Sequence, residues 1–164
     1  MSQTLEQKRA NFAYECVKDI KNLYFKEKFK SLVKKTPILI LTNGFGNTMA
    51  FLFSKGEYEH LTLAYIVGRY LFKVNEYTKE IFGKQNIFNN DKNELFDLLK
   101  KLDKLKKDEL IKKEIDKVKM EMQNIIFQNL IFTETDKYII ATEETLKFLN
   151  WLKKFTEAMI EVET

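Results

Sequence analysis

Few side chains in this 164-residue sequence could perform chemistry, because it contains one histidine and one cysteine. His60 follows Glu57 at the spacing Glu-x-x-His, which is half of a di-iron carboxylate site. The other half requires a second histidine, so this metal centre is excluded. The serine and cysteine nucleophile patterns are also missing around His60. We therefore predict a protein that is not an enzyme and that uses no metal or cofactor.

Gly44 and Gly46 form the Gly-x-Gly that is found in some phosphate-binding loops. The third position of the dinucleotide pattern is Met49 instead of glycine, and no Gly-Lys-Ser or Gly-Lys-Thr follows. We therefore do not expect nucleotide binding. The paired carboxylates Glu143 and Glu144 are typical of a first helical turn, where the helix dipole stabilises negative charge.

Lysines mixed with aromatic residues are the remaining signal for binding chemistry. Residues 18–35 contain seven lysines against two acidic residues, whereas residues 111–164 contain eight basic and ten acidic residues. A second basic group consists of Lys147, Lys153 and Lys154. Lysines neutralise phosphates and aromatic rings stack on unpaired bases. The pattern indicates either a phosphate-backbone binder or a solvated helix face, and charge alone does not decide between them.

Composition predicts the scaffold that must position these lysines. Five Gly and one Pro make up 6 of 164 residues, against a usual share of roughly 12%. Sandwiches and barrels need a tight turn every ~8–12 residues and are therefore excluded. The hydrophobic share of 45% is enough to bury a core. We predict an all-α fold, a single-domain bundle of about five to seven helices over residues 1–164.

The single cysteine and the hydropathy indicate the compartment. Cys16 lies at helical spacing with Phe12 and Ile20, so we expect a small buried residue and no disulfide. The first residues contain no apolar segment typical of a signal peptide, and no window approaches the ~20 apolar residues of a membrane span. We expect a cytoplasmic protein with no membrane partner.

Periodicity and capping patterns predict the first helix. Thr4-x-x-Gln7 is a capping box, in which two side chains satisfy the free N–H groups of a first turn. Apolar residues then recur with a period near 3.6 and predict a helix over about 5–25. The same helix could continue through Phe29 and Leu32.

Residues 36–53 have two interpretations. Asn43-Gly44 between apolar runs is typical of a β-hairpin turn. The alternative is a helix with Thr36 as its N-cap and Pro37 at its first position. A lone hairpin would have no strand to pair with, which favours the helix. In the helical interpretation five apolar residues share one face: Ile38, Leu41, Phe45, Met49 and Leu52.

The next segments are predicted from capping residues and breaks. Ser54-x-x-Glu57 is a second capping box and opens a helix that ends near Gly83. Residues 84–93 are rich in Asn and are predicted to form a loop. Asp91 is expected to cap the helix that follows this loop.

The last third is predicted to contain three helices. Residues 91–131 lack Gly and Pro, and their apolar stripe changes phase at the polar residues 106–109. Two helices meeting at a hairpin fit this pattern, and a single long helix is the alternative. After a linker near 133–137, Thr142 is expected to cap a last helix. Its inward-facing residues are predicted to be Leu146, Leu149, Leu152, Phe155 and Met159.

Three blocks of this sequence occur together in a recognisable order. The first is LEQKRA at residues 5–10 with FAY at 12–14, and the second is SLVKKTPILILTNG at 31–44 with TMAFL at 48–52. The third is ATEETLKFLNWLKKF at 141–155. In this order they resemble the small-subunit family of the Cmr complex, the type III-B CRISPR effector that is guided by RNA against RNA.

The resemblance implies an all-helical, non-catalytic subunit of an antiviral effector complex. Copies would stack along the filament beside the backbone subunits, which hold the guide and cleave RNA, and would contact the captured target strand. The implied partners are the backbone and large Cmr subunits, neighbouring copies of this chain and target RNA. The resemblance also implies that residues 36–53 are helical, that 57–137 form a variable helical middle and that 138–161 pack on 4–57.

Six of the basic residues in the matching blocks are the contacts with the RNA backbone that the resemblance implies: Lys8, Arg9, Lys34, Lys35, Lys153 and Lys154. They would neutralise phosphates and leave specificity to guide–target pairing. The lysine-rich segment 91–119 has no support from the resemblance. The alternative function is a helical protein–protein adaptor that touches no nucleic acid. The 14 Phe and 7 Tyr residues could supply contact patches for such an adaptor.

Overall fold

The computed structural model describes residues 2–82, 84–105 and 108–162, and these residues form α-helices with no strand. The all-α prediction is confirmed. The described residues contain eight α-helices, more than the predicted five to seven, because short breaks divide segments that we expected to be continuous. The helices are α1 Leu5–Ile20, α2 Lys26–Asn43, α3 Phe45–Lys55, α4 Tyr58–Arg69, α5 Glu76–Phe82, α6 Glu94–Leu105, α7 Glu109–Phe132 and α8 Thr135–Met159.

The first capping box forms as predicted. The Oγ1 atom of Thr4 accepts a hydrogen bond from the N–H of Gln7 at 3.1 Å, and the Gln7 side chain accepts one from the N–H of Thr4 at 2.8 Å. The helix that it opens ends at Ile20, so the predicted continuation through Phe29 and Leu32 is wrong. Residues 21–25 form a turn that separates α1 from α2.

The helical interpretation of residues 36–53 is confirmed, but the predicted start of the helix is wrong. Pro37 lies inside α2, eleven residues after its first residue Lys26. Thr36 is therefore not an N-cap; its hydroxyl donates to the carbonyl of Leu32 at 2.6 Å. The helix ends at Gly44, whose φ of +88° is a conformation that favours glycine.

The break at Gly44 divides the apolar face predicted for this segment. Phe45, Met49 and Leu52 on α3 are buried. The two apolar residues on α2 are not, since Ile38 is 63% and Leu41 is 73% exposed. The prediction that these five residues share one face is therefore wrong.

The segment after α3 begins and ends differently from the prediction. Ser54 lies inside α3, and Glu57 precedes α4 without a side-chain capping bond, so the second capping box is wrong. Gly56, with φ of +65°, ends α3 instead. α4 continues into a π-helical turn at Tyr70–Val74, which the N–H of Asn75 closes by donating to the Tyr70 carbonyl at 2.8 Å.

Residues 84–93 connect α5 to α6 as predicted and contain one 3-10 turn, Ile87–Asn89. The first backbone bond of α6 runs from the N–H of Asp97 to the carbonyl of Asn93, so Asp91 is not the cap of this helix. The Asp91 carboxylate instead lies 3.4 Å from the ammonium of Lys73. The helix end predicted at Gly83 lies outside the described residues.

Two helices occupy residues 94–105 and 109–132, as the hairpin interpretation predicted. α6 and α7 pack against each other, and Asp108 caps α7 by accepting from the N–H groups of Leu110 and Ile111. Residues 106 and 107 of the predicted polar break lie outside the described residues.

The connection between α7 and α8 is shorter than predicted, because α8 begins at residue 135. Thr142 lies inside α8 and its hydroxyl donates to the Tyr138 carbonyl at 2.8 Å, so the predicted cap is wrong.

The helix α8 lies between α1 and α2 and packs against both. Phe12 contacts Phe148 and Tyr14 contacts Phe155, so α1 and α8 run in the same direction. The ammonium of Lys30, near the start of α2, donates to the carbonyl that follows the end of α8, so α2 runs the opposite way. The predicted inward residues of α8 all contact the core, and Leu149 and Leu152 are completely buried.

The core extends through all eight helices. Cys16 is buried as predicted, and burial raises the pKa of its thiol. Gly68 lies against the ring of Phe88, where a Cβ would come within 2.7 Å of Cζ and closer to two other ring atoms. None of the helices in the described residues is both long and apolar enough to span a membrane.

Candidate nucleic-acid interface

The predicted lysines of α2 are exposed and point in different directions. Lys34 and Lys35 are consecutive, so their side chains leave the helix about 100° apart. The ammonium of Lys35 lies 6.0 Å from the ring centre of Phe51 on α3, and the ammonium of Lys55 lies 6.0 Å from the same ring. Two positive charges therefore share one aromatic ring at the edge of α2 and α3.

Sequence reasoning did not select Lys55. The available signal was its position four residues after Phe51, because side chains at this spacing meet on one side of a helix.

His60 lies beside this pair of lysines but does not add to their charge. Its ring contacts Phe51 edge to face at 5.8 Å, and the residue is only 9% exposed. Burial lowers the pKa of His60, with Lys35 and Lys55 acting in the same direction and Glu59 and Glu57 opposing it. The histidine is therefore neutral at pH 7, and the positive potential comes from the lysines.

The chemistry that His60 could perform is limited by its surroundings. Its Nδ1 atom makes no hydrogen bond within the described residues and lies 3.6 Å from the carboxylate of Glu59. Over residues 2–82, 84–105 and 108–162, His, Cys, Asp and Glu form no group of three that could hold a metal ion.

The predicted lysines of α8 also differ from each other. Lys154 is exposed and its ammonium lies 5.6 Å from the ring centre of Trp151. Lys153 is half-buried. Because α8 lies between α1 and α2, these residues belong to a helix next to the one that carries Lys34 and Lys35. None of these four lysines forms an ion pair with another described residue.

Lys8 is half-buried and has a partner within the chain. Its ammonium forms an ion pair with the carboxylate of Glu76 at the start of α5. The hydrogen bond from Lys8 lowers the pKa of Glu76. Lys8 must therefore exchange this carboxylate for a phosphate if it is to contact RNA.

Arg9 lies in the interior and not at the surface. It is 8% exposed, and its guanidinium donates to both carboxylate oxygens of Glu144 and to the hydroxyl of Tyr70. Asn75 donates to the same carboxylate at 2.8 Å. All four polar groups thus belong to one buried network, which holds the Arg9 guanidinium away from the surface.

A family model described as CRISPR-associated protein (Cas_Cmr5) matches residues 5–159 of this chain. The match begins at the first residue of α1 and ends at the last residue of α8. It therefore includes residues 58–137, for which the three sequence blocks gave no motif.

Proposed function

The chain belongs to the CRISPR-associated Cas_Cmr5 family, and we propose on this premise that it is the non-catalytic small subunit of an RNA-guided type III-B Cmr effector complex. The family match over residues 5–159 carries the proposal. Membership implies assembly with other Cmr subunits. In the proposed complex, copies of the chain stack along the filament in the cytoplasm, next to the backbone and large subunits.

We infer further that Lys34, Lys35, Lys153 and Lys154 bind the phosphate backbone of the target RNA. These lysines lie on two neighbouring helices and have no carboxylate partner among the described residues. Lysine contacts with phosphates position a strand without reading its sequence. Specificity then comes from pairing between guide and target, and the subunit contributes affinity that falls as salt rises.

Purification of the tagged chain from its native host tests the assembly. We expect larger Cmr subunits and guide-sized RNA to accompany it. Complexes assembled with and without the chain then test the RNA contact, by target affinity over a series of salt concentrations. A lower affinity without the chain supports the backbone contact, whereas equal affinities would favour the protein–protein adaptor.

A further inference from the structure

Three aromatic side chains form a continuous row at the surface where α1 meets α8. Tyr14 meets Phe155 edge to face, with ring centres 5.8 Å apart and an angle of 68°. Phe155 stacks on Trp151 at 5.8 Å with an angle of 24°. Tyr14 is 41% exposed, and the other two rings are half-buried. The row therefore has both a packed side and a side open to solvent.

A lysine lies over the ring at each end of this row. The ammonium of Lys18 is 5.5 Å from the ring centre of Tyr14, and that of Lys154 is 5.6 Å from the ring centre of Trp151. The one carboxylate paired with either lysine among the described residues is Glu15, 3.7 Å from Lys18 in an exposed pair. An exposed pair of this kind is weak and exchanges readily with another anion.

The contact between α1 and α8 also includes residues outside this row. Phe12 packs on Phe148, and Arg9 binds Glu144 in the interior. Both α1 and α8 are therefore joined through the core, and the row lies at the outer edge of the contact. Aromatic rings next to basic side chains are the combination that binds single-stranded nucleic acid, with rings for bases and lysines for phosphates.

We propose that this row stacks unpaired bases of single-stranded RNA on Tyr14 and Trp151, while Lys18 and Lys154 bind the adjacent phosphates. The inference rests on the proposed function, because it takes RNA as the ligand. It adds contacts with RNA bases to a surface on which only contacts with the phosphate backbone of RNA were proposed. Stacking of this kind is tolerant of sequence, because every base has a flat face.

In the free chain the lysines lie where the bases would stack. An exposed contact between an ammonium and a ring is weaker than base stacking on the same ring. The lysine side chain is long and flexible, so its ammonium can move from the ring to a phosphate as a base takes its place. In the free chain each lysine ammonium therefore already lies close to the phosphate position that it would occupy in the complex with RNA.

Trp151 is the single tryptophan of the chain, so its fluorescence reports this site directly. The test titrates the purified chain, at low salt, with a uridine oligonucleotide and with an abasic oligonucleotide of the same length. We expect the uridine oligonucleotide to bind more tightly and to quench the fluorescence, and the abasic one to bind with little quenching. Equal affinity without quenching would overturn the stacking proposal and leave backbone binding intact. If neither probe binds, both the stacking proposal and the proposed binding of the phosphate backbone are overturned.

Variants separate stacking from folding. Filter binding measures these variants, because they lack the tryptophan. Trp151→Leu should weaken uridine binding roughly 5- to 100-fold and abasic binding much less, whereas Trp151→Phe should keep most of the preference. Lys34→Gln with Lys35→Gln is the matched control. This double variant should weaken the binding of both probes to the same extent and leave the fluorescence quenching at saturation unchanged. If Trp151→Leu weakens both probes equally while its thermal unfolding is unchanged, the row does not contact bases.

Discussion

The guanidinium of Arg9 and the carboxylate of Glu144 form a buried bidentate ion pair between residues 135 positions apart. The Nη2 atom lies 2.6 Å from Oε2 and 2.9 Å from Oε1. Tyr70, at the start of the π-helical turn, also donates to Oε2 at 3.1 Å. Burial and the nearby carboxylate raise the pKa of the Tyr70 hydroxyl to about 12, so it remains a donor at any physiological pH. One carboxylate therefore joins α1, α8 and the turn after α4.

Glu144→Gln should lower the free energy of unfolding by about 3–5 kcal/mol, because it keeps the shape of the side chain but leaves the buried Arg9 without a counter-charge. The adjacent Glu143 is exposed, so Glu143→Gln is the matched control and should change stability by less than about 0.5 kcal/mol. Urea denaturation of the two variants measures the difference. Similar losses for both would mean that the ion pair contributes little.

Lys34→Gln combined with Lys35→Gln should weaken binding of single-stranded RNA and reduce its dependence on salt. Each lost phosphate contact lowers the slope of log K against log salt by about 0.7 for a single strand, so the pair should lower it by about 1.4. The control is Lys113→Gln with Lys117→Gln, two exposed lysines of α7. Filter binding between low and moderate salt gives both slopes. Equal slopes for the two double variants would contradict the assignment of the phosphate contacts to the lysines of α2.

The stability of the protein should decrease when the pH falls from 7.5 to 5.5. Burial holds the pKa of His60 below its usual value of about 6.5. The unfolded chain therefore binds a proton more readily than the folded chain, and stability is complete above about pH 6.5 and declines below it. His60→Asn removes this titration, so its thermal midpoint should change less over the same interval. If the thermal midpoint of His60→Asn falls as much as that of the wild type between these pH values, other titratable groups cause the decrease.

Gly68→Ala should destabilise the protein by about 1–3 kcal/mol, the usual effect of forcing an extra methyl group into a packed core. The added carbon would overlap the ring of Phe88, which is itself completely buried and cannot move away. Gly46→Ala is the comparison, since its added carbon would meet only the side chain of Tyr138, whose hydroxyl lies 3.3 Å away. Chemical denaturation should place Gly46→Ala close to the wild type. A stable Gly68→Ala variant would mean that Phe88 has room to move.

Local sequence patterns predicted which segments are helical better than they predicted where each helix begins and ends. Thr4 was a correct N-cap because its partner, Gln7, lies in the same turn. Thr36 and Thr142 were also predicted as N-caps but lie inside helices, where their hydroxyls donate to the carbonyl four residues earlier. A threonine hydroxyl can satisfy either role, so sequence alone does not distinguish a cap from an interior position.

The site residues depended on contacts that the sequence does not reveal. Arg9 belongs to a basic motif, but its partner Glu144 lies at the other end of the chain, so its burial could not be inferred locally. Lys34 and Lys35 were selected from the resemblance, and their position inside α2 was not predicted, because the helix was expected to begin at Thr36. The ring of Tyr14 meets that of Phe155, which stacks on Trp151, only because α1 and α8 pack side by side.

The position of α8 between α1 and α2 has a consequence for the order of events during synthesis. The faces of α1 and α2 that α8 covers leave the ribosome more than a hundred residues before α8 is complete. At ~5–20 residues per second, that interval is on the order of 10 s. The core can close only when the last helix arrives, so a chain truncated before residue 135 would expose the very surfaces that hold the finished protein together.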